Sequence, residues 1–135
     1  MRVLILEDSR SWYEDVQTAL GIVIPASVGA EVNVEYVWAT SPPEALKHAL
    51  SGEFDLIFAD VNMNPKIPGD RRGIDDFIKP LAGKTKAPII CMSSDPTYRQ
   101  HGYEAGAVDF LDKIALTTVG CEDLERIVKQ HGQIK

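Results

Sequence analysis

Three short apolar runs that each end in charged residues constrain this chain more than any other feature. Val3-Leu4-Ile5-Leu6 leads into Glu7 and Asp8, Phe54-Asp55-Leu56-Ile57-Phe58-Ala59 into Asp60, and Ala107-Val108-Asp109-Phe110-Leu111-Asp112 into Lys113. Strands buried on both faces of a parallel sheet read as short continuous apolar runs, and open α/β sheets gather ligands at the carboxyl ends of their strands. Three acids and one lysine meeting there would suit a divalent cation and a phosphoryl group.

Strand and helix patterns alternate along the whole sequence. Arg2 to Leu6 reads as a first strand. Ser9 then caps a helix to about Leu20, with Trp12, Val16, Ala19 and Leu20 on one face. Gly21 to Ala30, with two glycines and Pro25, reads as an irregular connection. Val32 to Trp38 alternates as a second strand. Ser41, Pro42, Pro43 and Glu44 form a capping box with first-turn prolines, opening a helix to about Leu50. Phe54 to Ala59 is the third strand and Asp60 to Arg72 a loop. Gly73 to Leu81 is a short helix and Pro88 to Met92 the fourth strand. Asp95-Pro96 opens a helix to about Ala105, Ala107 to Leu111 is the fifth strand, and a last helix spans about Thr117 to His131. Five βα units in series predict one domain over residues 1–135, a doubly wound five-stranded parallel sheet with helices on both faces. In the flavodoxin-like strand order 2-1-3-4-5 the switch point falls between strands one and three, where Glu7-Asp8 and Asp60 lie.

Composition narrows the function classes. At 135 residues with 44% hydrophobic side chains the chain holds a real core. A net charge of −6 argues against direct nucleic-acid binding, which needs a basic footprint. Cys91 and Cys121 have no metal-ligand or disulfide spacing, and Cys91 reads as a core residue. Neither a signal peptide nor a run of about 20 apolar residues is present, so a cytoplasmic location away from membranes is expected. No GxGxxG or P-loop motif supports nucleotide binding.

Converging carboxylates repel one another unless a cation sits among them. Hard oxygen ligands with open positions suit Mg2+, which shares its shell with waters and phosphate oxygens. Asp60 is then both a ligand and a nucleophile able to form an acyl phosphate, with the Asn62 carbonyl placed to complete the shell. The plainer role for Glu7 and Asp8 is as acids at a helix N-terminus. Lys113 at the end of strand five is placed to hold a phosphoryl oxygen, and Ser93 at the end of strand four to donate to one. Ser93 and Ser94 also suit a helix cap, and Phe110 suits plain core. His48, His101 and His131 show no ligand pattern, and Asp109 and Asp112 read as solvent-facing.

These residues give the whole chain a resemblance to the receiver domain of two-component response regulators, a CheY-like fold. Glu7-Asp8 is similar to the acidic pair after strand one, Asp60 to the phosphoacceptor and Ser93 to the hydroxyl residue after strand four. Gly106-Ala107-Val108-Asp109-Phe110-Leu111-Asp112-Lys113 resembles the family's G-A-x-x-aromatic-x-x-K segment. The resemblance implies Mg2+-dependent phosphotransfer to Asp60 from a histidine kinase or phosphotransfer protein. It further implies that Ser93 is drawn in and Phe110 rotates inward. A downstream protein would then read the face formed by the fourth helix, fifth strand and last helix.

Two features depart from the family. Ile114 stands where proline normally follows the lysine in cis linkage, and a non-proline cis bond costs about 2.5–4 kcal/mol. The loop after Asp60 carries an insertion of about five residues within 64–72, which is open to two readings: Lys66, Arg71 or Arg72 reaches a phosphoryl group or selects a kinase, or the insertion is a solvated loop with no such role. Competing readings are a receiver-like adaptor that is not phosphorylated and an aspartyl-nucleophile phosphohydrolase. The latter commonly places a second aspartate two residues on, where this chain has Asn62.

Overall fold

The computed structural model describes residues 1–64, 66–118 and 121–132, the side chains of 117 and 118 excepted. Its elements are β1 (Arg2–Leu6), α1 (Arg10–Ser27), β2 (Glu35–Ala39), α2 (Pro42–Ser51) and β3 (Leu56–Asp60). There follow α3, a π-helical stretch (Gly73–Ile78) continued by an α-helical turn (Lys79–Leu81), and β4 (Ile89–Ser93). A 3-10 turn (Pro96–Tyr98) leads into α4 (Arg99–Ala105), and then come β5 (Asp109–Asp112), α5 (Ala115–Thr118) and α6 (Glu122–His131).

The five strands pair in parallel in the order β2-β1-β3-β4-β5, as the run of βα units predicts. Alternation along each strand divides the core. Leu4, Leu6, Ile57, Ala59, Ile89, Cys91 and Phe110 pack under α2, α3 and α4. Val3, Ile5, Leu56, Phe58, Ile90, Met92 and Leu111 pack under α1 and α6. Burying each large side chain of this kind contributes about 1.5–3 kcal/mol, and the two layers fix the sheet from both faces.

Register aligns the carboxyl ends of the strands, with Leu6 beside Ala59, Asp60 beside Met92 and Ser93 beside Asp112. The ladder continues past them. Glu7 N–H donates to Ala39 O at 3.0 Å, Val61 N–H to Met92 O at 3.1 Å and Lys113 N–H to Ser93 O at 2.9 Å. Glu7, Val61 and Lys113, just past the strand ends, are therefore tied into the sheet by backbone hydrogen bonds.

Helix α1 is longer than the sequence predicts, running through Gly21 and Pro25 to Ser27. Val16, Ala19, Leu20, Val23 and Ile24 keep one buried stripe against Val3 and Ile5. Pro25 removes the donor for the Gly21 carbonyl, a cost of about 3 kcal/mol in a buried helix. Both residues lie on the exposed side, where water replaces that bond, and burial of Val23 and Ile24 prevails. Strand β2 begins three residues later than expected. The expected last helix is interrupted: α5 and α6 are separate, with Cys121 left-handed at φ 52°, and part of the expected span, 119–120, lies outside the described residues.

Candidate functional site

A cleft of about 450 Å³ opens at the carboxyl ends of β1, β3 and β5, lined by Glu7, Asp8, Asp60, Asn62 and Lys113 together with Trp12, Ile67 and Tyr98. The topology forms it, because the crossovers from β1 and β3 leave in opposite directions. Lys113 is 4% exposed, and its Nζ lies 2.9 Å from Glu7 Oε2 and 3.0 Å from Asp60 Oδ1. The stem of the lysine brings its ammonium over the Trp12 ring, 4.7 Å from the centroid. Glu7 is fully buried and accepts a second bond from Ser9 N–H at 3.1 Å. Asp60 Oδ1 is buried, and its contact with Lys113 is ionic, without the angle of a directed hydrogen bond.

Burial raises Glu7 above the usual carboxylate range and the neighbouring Asp60 charge adds to it, while Lys113 opposes both. Asp60 is also raised by burial, with Lys113 opposing and Asp8 adding repulsion. Burial disfavours the charged form of Lys113, but Asp60 and Glu7 outweigh it and hold the lysine above its ordinary value. One buried cation thus faces three acids, leaving the site short of positive charge.

Glu7, Asp8 and Asp60 each bring one carboxylate oxygen within 4.8 Å of the others. With a buried, undonated Asp60 oxygen beside them, this set fits a hard divalent cation that takes oxygen ligands. Both Glu7 oxygens already accept protein hydrogen bonds, so Asp8 and Asp60 are the readier donors.

Ser93 is fully buried, donates to Asn62 Oδ1 at 3.4 Å and accepts from Asp95 N–H at 3.0 Å. Phe110 is also fully buried, with the Arg99 guanidinium 4.9 Å from its ring centroid. The described peptide bonds are all trans, Lys113–Ile114 included, and Lys113 still reaches Asp60 and Glu7. Burial pushes the Cys91 thiol up to about 12, with Asp60 adding, which keeps it inert.

One sequence expectation is corrected, and the partners of several charged residues become visible. Asp109 is buried rather than solvent-facing, because Arg126 from α6 grips it through two bonds of 2.7 and 2.9 Å. His131, which carried no sequence signal, lies 3.0 Å from the same carboxylate. Arg72 pairs with Asp70, and Arg71 with Asp75 and His101, while the Asp8 charge also acts on Arg72. Lys66 is exposed.

The structure adds residues that the sequence did not single out. Trp38 stacks on Tyr13 at 4.5 Å and donates to the Glu7 carbonyl at 2.7 Å, supporting the acidic turn from β2. Gly73 packs so closely beneath β3 that a Cβ there would lie 1.7 Å from the Asp60 carbonyl oxygen. Only the bare glycine lets α3 start directly behind Asp60. Residue spacing cannot reveal such an approach, but a glycine opening a helix after a strand end is the available signal.

No family model and no curated protein matches the sequence. Solved structures do. The chemotaxis protein CheY4 of Vibrio cholerae is 27% identical, covers 96% of this chain and 97% of its own, and superposes with a TM-score of 0.64. Response regulator TrrA of Thermotoga maritima, in complex with Mg2+ and BeF, is 24% identical over 96% of both chains with a TM-score of 0.68. The receiver domain of the sensor histidine kinase PA1611 of Pseudomonas aeruginosa, with magnesium in its active-site cleft, is 16% identical over 96% of this chain and 95% of its own, with a TM-score of 0.66. On strand order and on a likeness that spans nearly all of both chains, this protein has the receiver-domain fold of the two-component response regulators.

Proposed function

We propose that residues 1–135 act as one receiver domain that takes a phosphoryl group on Asp60 and thereby switches a protein-binding surface. The observation that carries this reading is the placement of Lys113 Nζ within 3.0 Å of Asp60 and 2.9 Å of Glu7, at a cleft that Asp8 also lines. Glu7, Asp8, Asp60 and the Asn62 carbonyl would hold Mg2+, which when bound supplies charge neutralisation for the incoming phosphoryl oxygens. The phosphodonor is a phosphohistidine on a histidine kinase or phosphotransfer protein. An ionised Asp60 oxygen attacks phosphorus as the phosphorus–nitrogen bond breaks, and the histidine leaves with the electron pair of that bond. Lys113 holds a phosphoryl oxygen, and the Ser93 hydroxyl donates to another.

Self-dephosphorylation follows in line with Asp60, and turnover as a hydrolase stays slow. Asn62 cannot give or take a proton, and its amide is committed to Asp70 and Ser93. The output surface is the α4, β5 and α6 face, where Tyr103, Val108 and Ile114 are exposed apolar residues flanking β5. No described helix is long and apolar enough to cross a membrane.

Incubation with acetyl phosphate tests the reading. Uptake that needs both Mg2+ and Asp60 is expected, with Asp60→Asn inactive. Uptake that persists in Asp60→Asn would overturn the assignment, and wild-type protein that stays unmodified would favour the adaptor reading.

A further inference from the structure

The insertion after Asp60 is built around a carboxylate that phosphotransfer does not use. Asp70 is 6% exposed and accepts from Asn64 N–H at 2.6 Å, Arg72 N–H at 3.1 Å, and the Arg72 guanidinium at 3.2 and 3.3 Å. Hydrogen bonds to an ionised acceptor are the strong ones, so Asp70 fixes where the returning chain lies. Its own backbone carbonyl then accepts from Asn62 Nδ2 at 2.7 Å.

That bond determines which way the Asn62 amide faces. With Nδ2 on Asp70 O, Oδ1 is turned to Ser93 and accepts from its hydroxyl at 3.4 Å. Ser93 Oγ in turn accepts from Asp95 N–H at 3.0 Å, and the Asp95 carboxylate caps Thr97 N–H at 3.0 Å in the turn that leads into α4. A single hydrogen-bonded chain therefore runs from the loop through Asn62 and Ser93 to α4. A serine hydroxyl has one proton to donate. To donate to a phosphoryl oxygen on Asp60, Ser93 must give up Asn62 Oδ1.

Resting on the phosphotransfer reading above, we infer that Asp70 is a positioning residue: acting through Asn62, it engages the Ser93 hydroxyl, so that the folded loop and the phosphoryl group compete for one proton. Loosening the loop lowers the cost of drawing Ser93 inward and favours the phosphorylated form. By linkage, occupying the site weakens the hold of Asn62 on Asp70 to the same degree. The inserted loop then carries a readout of its own, separate from the α4, β5 and α6 face.

The test is a double-mutant cycle on the full chain, read as affinity for beryllofluoride in the presence of Mg2+. Asp70→Asn keeps the shape of the side chain but removes its charge. Arg72→Gln is the milder second variant, since Arg72 is half exposed and its loss does not threaten the core. Each is expected to tighten binding by about fivefold in the wild-type background, the lower end of ordinary coupling. In the Ser93→Ala background the gain should shrink to about twofold or less, the level of independent sites. An equal effect in both backgrounds, or none in either, overturns the inference. A second readout does not depend on phosphoryl chemistry. In the metal-free protein, Ser93→Ala and Asp70→Asn should both shift the Asn62 side-chain amide resonances in NMR spectra. If wild type fails to bind beryllofluoride but those shifts appear, the phosphotransfer reading fails while the linkage stands; absent shifts sink the linkage itself.

Discussion

Replacing Gly73 by alanine tests how strictly the backbone behind Asp60 is held. The added Cβ would lie 1.7 Å from the Asp60 carbonyl oxygen, 2.7 Å from its carbonyl carbon and 3.0 Å from Val61 Cα. All three are backbone atoms of a central strand end, so no side chain can swing aside. Gly73 is not among the glycines with positive φ, so alanine meets no conformational penalty and the whole cost is the collision. Relief requires α3 and the end of β3 to part by roughly 1 Å or more, in a core packed too densely to absorb it. Overpacking of this kind costs about 1–3 kcal/mol, and a rigid backbone partner places this case near the top, about 3 kcal/mol. At about 3–4 °C per kcal/mol for a chain of this size, Tm should fall by roughly 10 °C. A displacement of about 1 Å at a reacting carboxylate costs on the order of 100-fold in rate, so phosphoryl uptake should fall by that factor in protein that remains folded. Two glycines serve as controls. Gly21→Ala, in α1 with nothing within 4 Å, should stabilise by about 0.5–1 kcal/mol through helix propensity. Gly69→Ala meets open space but a φ of +72°, and should cost about 1 kcal/mol of local strain. Thermal melts and uptake rates on the three variants separate the effects. A Gly73→Ala protein with wild-type Tm and uptake would refute the close-approach argument.

Two further perturbations probe the charges. Lys113→Met leaves two buried carboxylates without their cation and should cost about 3–5 kcal/mol. Carboxylates raised in the folded state hold protons that the unfolded chain has released, so stability falls as pH rises, and the variant should lose more at pH 8 than at pH 5. Equal losses by chemical denaturation at both pH values would contradict that charge balance. At Asp109, burial works upward, but bonds from Arg126, the Phe110 N–H and His131 prevail and lower it to about 2. A depressed carboxylate stabilises the fold above its unfolded value near 3.8 and loses that support as pH falls from there toward 2. Discounted for the half-exposed guanidinium, the contribution is about 1–2 kcal/mol. Arg126→Met should remove it and flatten the stability profile below pH 4; an unchanged acid limb would show the grip on Asp109 to be idle.

The inner strands were legible because burial on both faces makes them continuous apolar runs, whereas the half-exposed edge strand β2 showed through its alternation. Positions that depend on one element meeting another were not. Asp109 sits in an apolar run with nothing local to mark its burial, and its partners Arg126 and His131 arrive from α6, after the last crossover. The end of α1 was hidden by Gly21 and Pro25, breakers whose effect disappears on an exposed helix face. Within the site, Glu7, Asp8, Asp60 and Lys113 were legible from sheet order alone, since register brings strand ends together. Asn62 and Ser93 were named from position, but their bond, and its link to Asp70, required the folded loop. The partners of Arg71 and Arg72 were hidden for the same reason: Asp75 and Asp70 meet them only in the folded loop.

The role of Asp60 is decided most directly by where a phosphoryl group lands. Treating the protein with acetyl phosphate and Mg2+ and then reducing it with borohydride converts an aspartyl phosphate to homoserine, which peptide mass spectrometry locates. Homoserine at position 60, absent when Mg2+ is omitted, is the result the account predicts. Label on any other residue, or an unreduced Asp60 in protein that has taken up phosphoryl groups, would contradict it.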